Sequence, residues 1–225
     1  MRTFFWLMVF WLGAALVTPA QHLGISLGAQ GGLTTYGLAG KITRNTYGKL
    51  GFCGGPVVRW QPLPWLAVQP ELLLTQQGAG YEAGASGKGP SPNAQQGTIA
   101  LTYLNVPVLA KFYLAKPFHL LAGPQLGFLL KGHEVGPPGY YLDANNQLRG
   151  VFNGDDDVTA HYGHDFSVVV GGGADLPNGL TFSLRLAYGL RDVNRDDWER
   201  ELGSTGIYNR GISLVAGYFL KHPKA

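Results

Sequence analysis

His161, His164, Asp165 and Ser167 lie close together in the sequence and carry the functional groups of a nucleophilic catalytic triad. In an extended strand, however, alternation directs Asp165 and Ser167 to one face and His164 to the other. No Gly-x-Ser-x-Gly nucleophile elbow accompanies them. We therefore interpret the group as the polar end of a strand, and we predict no catalytic residue.

Two acidic runs offer oxygen ligands for calcium, the run NGDDD at 153–157 and the pair Asp196 and Asp197. Neither has the spacing of an EF-hand loop, which favours solvated loop charge over a metal site. The glycine run 171–173 precedes a turn rather than a helix, so it indicates close strand packing and not a phosphate-binding loop. We expect neither a metal nor a cofactor.

Composition narrows the class of protein. Of 225 residues, 45% are hydrophobic and only 14% are charged, against about a quarter in ordinary soluble domains. The single cysteine, Cys53, excludes a disulfide scaffold and a Cys-based zinc site, and we expect it to pack as a small hydrophobe. The net charge is +3 without a basic stripe, so a nucleic-acid partner is not expected.

Residues 1–20 have the pattern of a secretory signal peptide. Arg2 precedes an apolar run from Phe4 to Val17, and the small residues of a cleavage site follow. The run is shorter than the ~18 residues that a spanning helix requires. Because no later run is long enough either, residues 21–225 would enter a membrane only as strands, and we expect them to form one domain.

Hydrophobicity alternates with a period of two along most of the chain, as in β-strands with two different faces. In the clearest segment, Leu104, Val106, Val108, Ala110, Phe112 and Leu114 share one face. We predict eight strands, at 22–30, 49–61, 65–77, 104–114, 118–131, 161–175, 180–191 and 208–220.

The connections between these strands alternate in length. Short turns are predicted at 62–64, 115–117 and 176–179, and long polar connections at 31–48, 78–97, 132–160 and 192–207. Transmembrane barrels have an even number of antiparallel strands, short periplasmic turns and long extracellular loops. The sequence therefore predicts an all-β fold, an eight-stranded antiparallel up-and-down transmembrane β-barrel.

The apolar face is predicted to point toward lipid. The opposite face is rich in small and uncharged residues, which suit a crowded interior better than a water-facing exterior. Trp60, Trp65, Phe112 and Phe118 fall near the short turns, where an aromatic girdle at the membrane interface would lie. A soluble lipocalin-like barrel, with its apolar face inward, is an alternative with the same period.

The predicted interior face carries charges of both signs. A charge in a narrow interior is costly unless it is paired or solvated. We predict a lumen network in which Glu71 bridges to at least one cation and closes the barrel to bulk solute. Its members are Arg59, Glu71, Lys111 and Arg185. Alternation assigns Lys131, Asp165, Asp175 and Arg191 to the same face.

Short motifs recur along the predicted strands. They are GAQGGL at 28–33, QPEL at 69–72, TQQG at 75–78, LTYLNVPVLAK at 101–111, AGP at 122–124 with Leu129 and Leu130, RLAYGL at 185–190 and LVAGYF at 214–219. Together they resemble the PorT-like outer-membrane β-barrel family of Bacteroidetes-type bacteria. The resemblance spans 21–221 and implies an eight-stranded outer-membrane barrel. It supplies no active site, and most members have no assigned function. Whereas many barrel proteins end on an aromatic residue, this chain continues from Lys221 to Ala225.

We expect an integral protein of the bacterial outer membrane, exported through its signal peptide, with a structural or envelope-interaction role and no catalytic activity. A small passive pore is the alternative, although side chains nearly fill the interior of an eight-stranded barrel. The expected partners are outer-membrane lipid, the barrel assembly machinery during insertion, and other envelope proteins.

Overall fold

A computed structural model describes residues 24–40, 46–83, 95–142, 148–195 and 206–220. The predicted signal peptide at 1–20 lies outside these ranges. The described strands are β1 (Ile25–Gly40), β2 (Thr46–Leu63), β3 (Leu66–Pro70), β4 (Leu73–Ala83), β5 (Gln95–Ala115), β6 (Phe118–Val135), β7 (Gly139–Leu142), β8 (Leu148–Phe152), β9 (Asp155–Asp157), β10 (Asp165–Asp175), β11 (Leu180–Gly189) and β12 (Ile207–Phe219). Among the described residues, no helix is long and apolar enough to span a membrane.

The sheet closes on itself as an antiparallel ring. Going round, the order is β1, β2, β3 with β4, β5, β6, β10, β11 and β12, and β12 pairs with β1 to close it. Since β3 and β4 together make one barrel strand, the ring has eight strands. Closure leaves no open sheet edge around the ring, as a bilayer demands. The predicted eight-stranded up-and-down barrel is confirmed.

The third barrel strand is interrupted at Glu71 and Leu72, where one continuous strand at 65–77 was predicted. Pro56 on β2 and Pro107 on β5 flank the break, and a proline has no N–H to donate to the ladder. The Glu71 N–H donates to the Pro107 carbonyl at 3.0 Å, and the Leu72 N–H donates to the Pro56 carbonyl at 3.1 Å. The two residues at the break therefore remain hydrogen-bonded to the neighbouring strands.

The outer surface of the ring is apolar. Val108 is 42% exposed, whereas its chain neighbour Leu109 is fully buried in the interior. Along β11, Leu180, Phe182, Leu184 and Leu186 are exposed, and the residues between them are buried. The predicted orientation, with apolar side chains outward and polar ones inward, is confirmed on both strands.

Aromatic side chains collect on the outside near the short turns. Trp60, Trp65, Phe112 and Phe118 are all exposed, and the rings of Trp65 and Phe112 stack with centroids 6.5 Å apart. This is the composition of an interfacial girdle at the periplasmic boundary of the membrane.

Several strands extend further toward the extracellular side than the sequence predicted. The expected long connection at 31–48 is wrong, because β1 continues to Gly40 and β2 begins at Thr46. Above the membrane both strand faces meet water or polar loops, so the hydrophobic alternation fades while backbone pairing continues. The third connection also contains strands, namely the β7–β8 hairpin and β9, which pairs with β6.

Two cations assigned to the interior face lie elsewhere. Lys131 on β6 is exposed, because the register shifts between the pairs Thr102–Lys131 and Tyr103–Leu129 and turns the following residues to the other face. Arg191 is also exposed, since β11 ends at Gly189 and the alternation stops there.

Candidate functional site

The centre of the lumen holds an ion pair between Glu71 and Arg185. Arg185 Nη1 donates to Glu71 Oε2 at 2.7 Å, and Arg185 Nη2 donates to Glu71 Oε1 at 3.2 Å. Both side chains are almost completely buried. Arg185 also donates through Nε to Ser183 Oγ at 2.9 Å and through Nη2 to Gln30 Oε1 at 3.2 Å. The bidentate pair and these added bonds fix the guanidinium in one orientation.

A second carboxylate, Asp175, lies closer to the short turns and gathers several donors. Lys111 Nζ lies 3.0 Å from both of its oxygens, and Arg59 Nη2 lies 3.1 Å from Oδ2. The hydroxyls of Tyr113 and Thr181 donate to the same carboxylate. Asp175 therefore neutralises two cations that a carboxylate at Glu71 alone would leave unpaired.

The two carboxylates belong to one network that crosses the lumen. Gln69 connects them, since its Nε2 donates to Glu71 Oε1 at 2.7 Å and its Oε1 accepts from Arg59 Nε at 3.3 Å. Glu71 and Arg185 are on the third and seventh strands of the ring, and Arg59 and Asp175 are on the second and sixth. In a ring of eight these strands face each other, so both ion pairs bridge opposite walls.

The lumen is closed at the periplasmic end by packing on the same network. The Arg59 guanidinium lies 3.8 Å from the centroid of the Phe219 ring, and both side chains are buried. His119 is also buried, with its Nδ1 3.6 Å from Asp175 Oδ1. These side chains occupy the space between the charged network and the short turns.

The extracellular end is closed by an apolar cluster. Leu38 on β1, Ala79 on β4 and Val193 pack together, and Ile99, Tyr162 and Ile207 pack against them. Val193 is held by two backbone bonds, from the Gly163 N–H to its carbonyl at 2.7 Å and from its N–H to the Ile207 carbonyl at 2.8 Å. The segment around Val193 therefore folds over the extracellular mouth of the barrel.

Between the two closed ends lies a small cavity of about 20 Å³, lined by both polar and apolar side chains. Its lining includes Cys53, Thr75, Asn105 and Arg185. Thr75 Oγ1 and Asn105 Oδ1 are buried with no hydrogen-bond partner in the protein. A cavity of this size holds about one water, which would satisfy these two oxygens.

The structure separates the residues that have the functional groups of a triad. Asp165 and Ser167 are buried in the interior, as alternation indicates, whereas His164 is exposed and its Nδ1 accepts from the Leu129 N–H at 3.2 Å. The Ser167 hydroxyl accepts from Gln125 Nε2 at 3.1 Å. His164 and Ser167 thus lack the nucleophile–base contact that triad chemistry requires.

The acidic run on β9 is engaged in local contacts. Asp155 Oδ1 lies 3.1 Å from His133 Nε2, Asp156 Oδ2 accepts from the Asn153 N–H at 2.9 Å, and Asp157 Oδ1 accepts from the Thr159 N–H at 2.8 Å. Hydrogen bonding by Thr159 lowers the pKa of Asp157 below its ordinary value. The pair Asp196 and Asp197 lies outside the described residues.

All four predicted members of the lumen network are buried in the interior. The structure places Arg185 against Glu71, but it places Lys111 and Arg59 against Asp175. The predicted network omits Asp175, Gln69 and Gln30. Alternation places Asp175 on the interior face, but nothing in the sequence fixes its height relative to Lys111.

The sequence also matches a protein-family model, that of the outer membrane protein beta-barrel domain, over residues 19–195. The chain belongs to this family. This outer-membrane β-barrel is therefore a protein of the bacterial outer membrane. The lipocalin-like soluble alternative is wrong, because the apolar face lies outside and the polar face inside.

Three solved structures are similar to this chain at low sequence identity. Ail, the attachment invasion locus protein of Yersinia pestis, in complex with the heparin analogue sucrose octasulfate, is 12% identical, with a TM-score of 0.45 over 88% of this chain and 100% of that one. Neisserial surface protein A is 10% identical, with a TM-score of 0.43 over 87% and 96%. OprG from Pseudomonas aeruginosa is 9% identical, with a TM-score of 0.41 over 89% and 98%. None of the curated proteins compared with the chain matches it significantly. Residue roles are not transferable at such identities.

Proposed function

We propose that this outer-membrane β-barrel is a sealed, non-catalytic membrane protein whose role is structural or lies in contacts with other envelope components. The observation that carries this proposal is the pair of charged bridges across the lumen, Glu71 with Arg185 and Asp175 with Arg59. Each joins opposite walls at a depth where a channel would need a continuous water path. Breaking either pair to admit solute would leave a buried charge without its partner, which is strongly unfavourable.

Packing at both ends supports a closed interior. Phe219 lies under Arg59 at one end, and the cluster around Val193 covers the other. An eight-stranded barrel is just wide enough for side chains to fill. The passive pore is thus the weaker of the two functions.

Within this family, we propose that the chain is related to the PorT-like proteins that its motifs resemble. The motifs at 69–72 and 101–111 are among those that carry this resemblance, and they also contribute Gln69, Glu71 and Lys111 to the lumen network. We also propose that residues 1–20 are a signal peptide that exports the chain.

The partners of the barrel would be outer-membrane lipid, the assembly machinery during insertion, and other envelope proteins that contact the extracellular strands.

Swelling of proteoliposomes in small sugars tests the sealed interior. Vesicles containing the folded protein should swell no faster than protein-free vesicles, whereas vesicles containing a known porin at the same protein-to-lipid ratio should swell quickly. Swelling at a rate that depends on sugar size would support the pore.

Cross-linking in native membranes, followed by purification of the barrel, tests the interaction role. Recovery of the barrel alone would argue for a purely structural role.

A further inference from the structure

A cavity of about 580 Å³ lies at the extracellular rim, beside the segment that covers the mouth of the barrel. The described residues that line it are Gly163, Arg191, Asp192, Asn194 and Arg195, and we call this cavity the rim pocket. None of these residues takes part in the lumen network. The pocket is open to the outside, and its described lining includes two arginines.

The backbone of the rim pocket is anchored. Asp192 Oδ1 accepts from the Asn194 N–H at 3.0 Å and from the Ile207 N–H at 2.8 Å. The Arg195 N–H donates to the His161 carbonyl at 2.9 Å, and Val193, between these residues, is fully buried. These contacts hold the segment at 192–195 in place before any ligand arrives.

Both arginine side chains are exposed, and in the described part of the chain neither forms an ion pair. Among the described lining residues, Asp192 is the carboxylate, and one of its oxygens is already occupied by two backbone N–H groups. The Arg195 side chain runs past Gly163, with its Cγ and Nε 3.5 and 3.6 Å from the position that a Cβ there would take. The described pocket therefore has an excess of positive charge and room for an anion.

The pocket lies at the upper boundary of the lipid-facing surface. Tyr188 and Leu190, shortly before Arg191 in the chain, are each 51% exposed on the outside of the barrel. Arg210 lies beside Tyr188 and donates to its hydroxyl at 2.6 Å. An amphipathic tyrosine with cations just above an apolar band is typical of the headgroup level of a membrane.

We propose that the rim pocket binds a phosphate group, held by the guanidinium groups of Arg191 and Arg195. A guanidinium presents paired N–H donors that match the oxygens of a phosphate. The phosphate has two possible sources, the headgroup of an outer-leaflet lipid or a free phosphate ion.

Native mass spectrometry of the full chain in detergent tests the proposal. The probes are phosphatidic acid, which carries a phosphomonoester, and diacylglycerol, which has the same acyl chains and no phosphate. The test variant is Arg191→Gln with Arg195→Gln, and the matched control is Lys131→Gln, an exposed cation outside the pocket. A gel shift between unheated and boiled samples first establishes that each variant is folded.

We expect the wild type and Lys131→Gln to retain phosphatidic acid over diacylglycerol, and the double variant to lose about tenfold in that retention, the equivalent of one charged hydrogen bond. If millimolar inorganic phosphate displaces the lipid, the phosphate group alone is the ligand; if it does not, the ligand is the lipid. Equal retention by the wild type and the double variant would overturn the proposal. So would a wild type without preference, as expected if Asp196, Asp197, Glu199 and Glu201 neutralise the pocket.

Discussion

Arg185 on β11 forms a bidentate ion pair with Glu71, 114 residues earlier in the chain and on the opposite wall of the barrel. The pair joins strands that are not neighbours in the sheet, so backbone pairing does not require it. Glu71 lies at the break between β3 and β4. The side-chain network therefore ties together opposite walls of the barrel, which the backbone ladder does not join directly.

The Glu71–Arg185 pair should be strongly coupled. Glu71→Leu and Arg185→Met should each lower the free energy of unfolding by about 3–5 kcal/mol, because each leaves the partner charge buried and unpaired. The double variant Glu71→Leu with Arg185→Met should recover part of this loss. Denaturant titration in detergent micelles measures all four proteins. Strictly additive losses would contradict the coupling.

The Asp175 cluster should be at least as sensitive. Asp175→Asn removes the negative charge that Lys111 and Arg59 share, so we expect a loss of about 3–5 kcal/mol in unfolding free energy. Tyr113→Phe removes only one hydrogen bond to the same carboxylate and should cost about 1.5–3 kcal/mol. Denaturant titration in detergent micelles measures the loss in each of these two variants. If Asp175→Asn were the milder change, Asp175 would not be the counter-ion of these cations.

The orientation of the strands can be tested at Val108, in the middle of β5. Val108→Arg should cost about 2–4 kcal/mol, because it places a charge in the hydrocarbon of the bilayer. Val108→Leu is the matched control and should be tolerated, because the side chain is 42% exposed on the lipid side. Refolding into lipid vesicles under denaturant titration gives both values. Equal stability of the two variants would mean that Val108 does not face lipid.

Glycine at 173 should be required for close packing of β10 and β11. A Cβ there would overlap the Phe182 carbonyl oxygen, so Gly173→Ala forces the backbones apart. A Cβ at Gly54 on β2 would lie 3.5 Å from the Gln30 carbonyl oxygen, an ordinary contact. The folded fraction on an unheated gel should fall for Gly173→Ala and stay at the wild-type value for Gly54→Ala. A fall in both would point to backbone entropy rather than packing.

Alternation predicts which way a side chain faces but not which residues meet. It correctly placed Val108 outward and Glu71, Lys111 and Arg185 inward, since the period of two holds wherever pairing is regular. It failed at Lys131, after a register shift, and at Arg191, beyond the end of β11. Asp175 was on the correct face but missing from the network, because relative height depends on the stagger of the strands. The rim pocket was not predicted, because its residues come from a turn and a loop.

Conductance in planar lipid bilayers tests the sealed lumen most directly. A lumen bridged by Glu71–Arg185 and Asp175–Arg59 has no continuous water path, so the wild type should show little steady conductance. Glu71→Ala should show more, whereas Asp155→Ala, which alters an exposed carboxylate outside the lumen, should behave as the wild type. A large, stable, ohmic conductance from the unmodified protein would contradict the closed barrel and establish it as a pore.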